Sequence, residues 1–437
     1  MTIPPIQTAS QQNTPPKKLQ TFRALHYRDF RLLWISLIVS SIGTWLQIVS
    51  QSLLVLKITH NSPIALGIVS LAQAASFFLF AFIGGSVADR IDKRRFLLVT
   101  QSLSMLLAFI LGVLTITGVI QVWMVIVLAF CSGTVLSFDQ PTRSSLIPTL
   151  VPREDLMNAI SLQSTVFNGV AFIGPTLAGI FLGFFTNLAQ HLSLRENLAA
   201  YAGNFFLNGI SFLGVLVVLY LLHVSAEATR QSSNLRVPML EAVRESLIFV
   251  GKDPALPWIL SGYAALLFFG PSTSLILPIF ATQALHLQAL QLGLLFSASG
   301  LGVLLGALLI ASLGDFQQKG ILLLLSFIIW TAAFLIFGVS KNLWLSMVML
   351  VFLGIGQNGV GATTITLLQT RVPPNMRGRV MSLNALCIMG IRPLGDFPAS
   401  GLIALIGGPF TVTICASIVG IYTLYILLER PIIRTIQ

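Results

Sequence analysis

Twelve apolar windows, each about 20 residues or longer, follow one another after residue 30 and leave no stretch for a separate water-soluble domain. They run over 32–56, 64–88, 96–118, 122–141, 159–183, 203–223, 255–281, 290–313, 320–340, 343–367, 383–406 and 409–428. About 20 apolar residues wound as helix cross a ~30 Å hydrocarbon core. A segment surrounded by lipid can satisfy its own backbone hydrogen bonds only as a helix. The composition agrees, with 55% hydrophobic residues and a mean hydropathy of +0.89. An all-α integral membrane protein with twelve transmembrane helices is predicted.

Basic residues orient the spans. Of the 25 Lys and Arg, 21 fall on one side of the alternating loops. The other side holds Lys57, Arg195 and Lys341, and Arg392 sits inside a span. The positive-inside rule therefore puts both ends in the cytoplasm, with the spans in a plasma (inner) membrane. The net charge of +11 is a topology signal and not a nucleic-acid patch. Residues 1–21 are polar with no apolar core, and are expected to be a disordered tail, not a cleaved signal.

Several chemistries find no support. The three cysteines lie within spans and the five histidines lack ligand spacing, so no disulfide framework, metal or other cofactor is expected. No GxxxxGK[ST] stretch occurs, and no nucleophile, base and orienter come together, which argues against ATP-driven pumping and against an enzyme.

The chain repeats itself. "RDFRLLW" (28–34) aligns with "KDPALPW" (252–258) at an offset of 224, and "VPREDLMNAISL" (151–162) with "VPPNMRGRVMSL" (372–383) at 221. The second offset also brings Gly174 onto Gly395 and Ala178 onto Ala399. Six spans per half is an even number, so the two copies run the same way through the membrane as parallel repeats. The predicted organisation is a tail over 1–29, a six-helix half over 30–223, a linker over 224–252, a second half over 253–428 and a tail over 429–437. Within the linker, Leu240, Val243, Leu247 and Val250 form one helical stripe, which predicts a helix lying on the membrane surface and tethering the halves.

"GGSVADRIDKRRFLLV" resembles the loop signature between spans 2 and 3 of the major facilitator superfamily, with Val87 in place of Leu and Asp92 in place of Gly. Together with "FRALHYRDFRLLW", "SFDQPTRSSLIPTLVPREDLMNAISL" and "VPPNMRGRVMSL", it resembles the twelve-span, drug:proton-antiporter-like branch that includes enterobactin and macrolide exporters. The likeness spans about residues 22–428 and implies the major facilitator fold. It also implies a gating role for Gly85, Asp89, Arg90, Lys93 and Arg94, with Lys93 pairing Asp139 at the end of span 4. Simple positive-inside anchoring would need the cations but not Asp89 or Asp92. Asp139 and Arg143 stand four residues apart, as a switching pair or a plain interface salt bridge. "GPTLAG" resembles the superfamily's antiporter motif through Gly174, Pro175 and Gly179, residues that close helix packing alone also explains.

Arg392 and Asp396 lie near the middle of span 11, four residues apart. Ionised groups at that depth cost several kcal/mol unless paired or wetted, which makes each a candidate for ion coupling; the bland alternative is a static neutralised pair. Asp396 is the only acid in a span interior and the first choice for a proton site. Gln47, Gln51, Asn168, Ser272, Thr273, Gln357 and Asn358 are candidate cavity residues, with Trp45, Phe138 and Phe269 as aromatic surface; interhelical hydrogen bonding is the ordinary alternative for each. Such a lining favours an amphipathic or weakly polar ligand. The expected activity is secondary export of a small amphipathic compound by alternating access, with protons as the coupling ion, by a monomer in the lipid bilayer. Uptake or lipid flipping on the same fold, and a non-transporting sensor or assembly factor, are the alternatives.

Overall fold

The computed structural model describes residues 22–88, 92–191, 196–222, 239–314, 316–373, 376, 380, 381, 383, 384, 387–429 and 431–434. Among the described residues all regular structure is helical. The first half comprises α1 (Arg28–Ile58), α2 (Pro63–Ala88), α3 (Lys93–Ile116), α4 (Val122–Leu146), α5 (Leu156–His191) and α6 (Glu196–Leu221). After the linker helix α7 (Met239–Lys252) come α8 (Leu256–Phe269), α9 (Thr273–Ile279), α10 (Ala289–Leu313), α11 (Lys319–Val339) and α12 (Leu343–Arg371). α13 (Arg392–Ile406) and α14 (Gly408–Glu429) complete the second half. Among the described residues, eleven helical stretches are long and apolar enough to cross a membrane. The twelfth window, 383–406, falls partly outside the described residues; its described part is a π-helical turn, Cys387–Ile391, running into α13. Twelve crossings bring Phe22 and Arg434 to one face, called the terminal face below.

Side chains start the helices where the backbone needs them. The Asp92 carboxylate accepts the Arg94 and Arg95 N–H groups at 3.0 and 3.2 Å and so caps α3. That gives one acid of the charge-crowded loop a structural role that orientation alone does not supply. Asp253 does the same for α8, accepting from Ala255 and Leu256 at 2.8 and 2.9 Å. Between α1 and α2, His60 and Asn61 adopt φ of 52° and 64°, a tight reversal that Asn tolerates well.

The sequence predicts one continuous span over 255–281, whereas the structure breaks it. α8 stops at Gly270, Pro271 follows, and α9 starts anew with the Ser272 hydroxyl accepting from Leu275 N–H. Proline lacks the donor that would continue the ladder, and a hydropathy window does not register that loss. Pro393 has a milder effect: it sits in the first turn of α13, where its missing N–H costs nothing, so Arg392 and Asp396 share one helix.

α2 lies along α4, α3 along α6, and α1 against α5 and α6; in the second half α12 packs on α10 and α11, and α11 on α14. The halves meet mainly through α5 on α10 and α2 on α13. The first of these contacts is backbone to backbone. A Cβ built on Gly300 would lie 2.6 Å from the Ala171 carbonyl carbon, and one on Gly179 would lie 2.8 Å from Leu290 Cα. Thr176 and Ser297 hydroxyls bridge the same crossing at 2.6 Å.

The segment before α1 is pinned to the turn before α5. Tyr27 Oη donates to Asp155 Oδ2 at 2.7 Å, Arg23 Nε pairs with Asp155 Oδ1 at 3.0 Å, and Asn158 Oδ1 accepts from Ala24 N–H at 2.9 Å. The hydrogen bond to the Asp155 carboxylate pushes the Tyr27 phenol above its ordinary range, which keeps it a donor. Trp34 Nε1 reaches the Leu162 carbonyl at 3.1 Å. Two of the motifs behind the family resemblance thus staple α1 to α5. On α7, Leu247 of the predicted stripe is exposed, as a membrane-facing residue would be, while Val250 is buried together with Ser246 one turn before it. Leu240 and Val243 have no described side chains.

Candidate functional site

The break between α8 and α9 leaves the Ser272 N–H with no partner in its own helix. Asp396 Oδ1 accepts it at 2.7 Å, and Asp396 Oδ2 accepts the Ser70 hydroxyl at 3.1 Å. One carboxylate on α13, 1% exposed, therefore ties the interrupted span of its own half to α2 of the other half. Glycines permit the approach. A Cβ on Gly395 would meet the Phe268 carbonyl carbon at 2.8 Å, and one on Gly67 would meet Ser400 Cβ at 2.7 Å.

Ser70 and Ser272 also line a cavity of about 590 Å³. Gln47 and Gln51 form part of its wall, joined at 3.3 Å, and Asn208 Nδ2 donates to Gln47 Oε1 at 2.6 Å. Trp45 adds aromatic surface and meets Phe296 of the other half edge-on at 6.0 Å. The cavity extends to Gln140, Arg143 and Ser144 at the terminal-face end of α4. Near the opposite face the halves are bridged by Gln283 Nε2 donating to the Asn61 carbonyl at 3.1 Å.

Asp139 lines the cavity and is fully engaged. It accepts from Thr100 at 2.8 Å and Gln101 at 2.6 Å, and it pairs with Arg143 at 2.7 Å because α4 continues through Pro141. Lys93 does not pair with Asp139 here; its ammonium donates to the Ser145 carbonyl at 3.1 Å. Arg94 caps α6, with Nε on the Leu219 carbonyl at 2.6 Å and a second bond to the Tyr220 carbonyl. Gly85 lies within α2, and Asp89 and Arg90 fall outside the described residues.

Arg392 and Asp396 are not the ion pair their spacing suggests. Both carboxylate oxygens are committed to Ser272 and Ser70, and the buried Arg392 Nε has no hydrogen-bond partner. Gly174 packs on Trp45 and Gly179 on α10, while the Pro175 carbonyl oxygen lies 2.5 Å from where a Gly293 Cβ would stand. Of the predicted cavity residues, Gln47, Gln51 and Ser272 line the cavity, whereas Asn168, Thr273, Gln357 and Asn358 do not. Phe138 packs tilted against Phe80 and edge-on against Phe96, and Phe269 packs on Phe268. Sequence reasoning missed Ser70, Gln73, Gln101, Gln163 and Asn208. Their one signal was a polar side chain inside an apolar run, which interhelical bonding produces equally well.

A family model described as "Transmembrane secretion effector" matches residues 19–430. The chain belongs to that family of major facilitator transporters. It is 24% identical over 391 residues to the staphyloferrin A transporter of Staphylococcus aureus, covering 88% of this chain and 91% of that protein. It is 23% identical over 394 residues to the enterobactin exporter EntS of Citrobacter koseri, covering 90% and 88%. Among solved structures it superposes on a bacterial homologue of the human lysosomal transporter Spinster, in an inward-facing and occupied conformation. The TM-score is 0.71 at 15% identity, covering 94% of this chain and 98% of that one. The fold is the twelve-span major facilitator fold, and the chain is a membrane transporter of an efflux-like branch, not an enzyme.

Proposed function

We propose that this transporter exports a small amphipathic compound, drug-like or siderophore-like, in exchange for protons, and that Asp396 is the proton site. The observation that carries the proposal is the Asp396 carboxylate, buried in the membrane interior, hydrogen-bonded across both halves and adjoining the cavity through Ser70 and Ser272. A group that holds the two halves together in one protonation state and less firmly in the other links proton binding to which face is open. The excess of Lys and Arg on the terminal face makes that face cytoplasmic, in a plasma membrane, and the cavity then extends inward. The relatives' names, a siderophore exporter among them, support export over uptake. Asp139 and Arg143, with Lys93 and Arg94 near the same end, form the cytoplasmic gate in this proposal. Gln47, Gln51 and Ser272 contact the compound.

Expression in a host lacking its own efflux pumps is expected to lower accumulation of at least one amphipathic compound in a broad panel. Cells carrying Asp396→Asn serve as the reference. An unchanged panel would contradict export and favour uptake or a sensor.

A further inference from the structure

We propose that the second half holds a binding site for an oxyanion, best fitted by a carboxylate, centred on Arg392, and that the exported compound carries such a group. The inference rests on the export proposal for its ligand's role, but not for the site's existence.

Arg392 opens α13 directly after the π turn Cys387–Ile391. Its Nε is buried and has no hydrogen-bond partner. Asp396 is its nearest charge in electrostatic terms, yet that carboxylate spends its oxygens on Ser272 and Ser70. A guanidinium keeps its charge, and in the membrane interior an unfilled donor on it is costly.

A further donor stands near it. The Tyr263 hydroxyl of α8 is within electrostatic reach of Arg392. Opposite that hydroxyl is Gly361 of α12, where a Cβ would stand 3.4 Å away, so the absence of a side chain there leaves the phenol uncovered. A guanidinium on α13 with an unpartnered buried Nε and a phenol on α8 thus stand near each other and carry one positive charge between them. A carboxylate presents two coplanar oxygens to the guanidinium fork and leaves lone pairs for the phenol. This revises the weakly polar ligand that the uncharged residues alone suggest.

The test uses the full chain in phosphatidylcholine nanodiscs, so that no anionic lipid headgroup competes, and a matched fluorescent pair: dansylglycine and dansylglycinamide. Anisotropy is measured against empty discs. Wild type is expected to bind the acid about tenfold or more tightly than the amide. Arg392→Gln should erase that preference while keeping amide binding, and Arg392→Lys should keep part of it. Tyr263→Phe, which retains the packed ring, should weaken the acid by about threefold and leave the amide unchanged. Equal binding of the pair by wild type, or no binding of the acid, overturns the proposal without needing any variant to fold. A protein that lowers drug accumulation in cells yet shows no acid preference loses this site and keeps export. An acid preference in a protein that moves nothing keeps the site and loses export.

Discussion

Asp396→Asn is expected to abolish export driven by a pH gradient while counterflow exchange of the same compound continues. The substitution isolates the proton from the structure around it. An Asn oxygen still accepts the Ser272 N–H, and its amide still meets the Ser70 hydroxyl, which can turn from donor to acceptor. What is lost is the ability to gain and release a proton. Asp396→Ala should behave differently, because it leaves the N–H at the break of the seventh span without a partner. That costs about 1–3 kcal/mol and should lower the thermal stability of the purified protein as well as its transport. Gradient-driven flux undiminished in Asp396→Asn would remove Asp396 from the coupling role.

The second large effect is expected at the crossing of α5 and α10. Gly300→Leu places a side chain where the Ala171 carbonyl carbon and Phe172 nitrogen already lie 2.6 and 2.8 Å from the Cβ position. Backbone atoms have no alternative rotamer, so the helices must separate. Overpacking of this kind costs about 1–3 kcal/mol. Charged against one conformation only, it shifts the population about 5- to 150-fold away from the state seen here. The terminal-face cavity should become less accessible to cysteine reagents and the opposite face more so, with exchange slowed. Gly300→Ala should show the same direction more weakly. Unchanged labelling of both faces in Gly300→Leu would mean that this crossing does not govern opening.

The spans, their count and their parallel repeat are legible in the sequence because hydrocarbon is an unforgiving solvent: apolar length and backbone satisfaction leave one solution per window. Asp396 was legible for the same reason, since a charge at that depth needs a purpose. Its partners were not. Ser272 lies 124 residues away and Ser70 lies 326 away, and nothing in four-residue spacing says that a broken helix will claim the carboxylate before Arg392 does. The break itself is written as Gly270-Pro271, but hydropathy over 255–281 hides it. Lys93 could be placed near the end of span 4 by resemblance, yet whether it meets Asp139 or the Ser145 carbonyl depends on side-chain competition within the first half, where Arg143 is already one turn from Asp139. Asn168 and Gln357 show the converse: polar residues in spans are visible, but which face of the helix they occupy is set by packing.

The central claim is that compound and proton move in opposite directions through this chain. Proteoliposomes with an acidic lumen containing a trapped pH-sensitive dye test it directly, using a compound whose accumulation the transporter lowers in cells. Adding the compound outside should alkalinise the lumen at once as protons leave, and vesicles carrying Asp396→Asn should show no response. A lumen whose pH does not change while the compound enters, or one that becomes more acidic, would contradict the account.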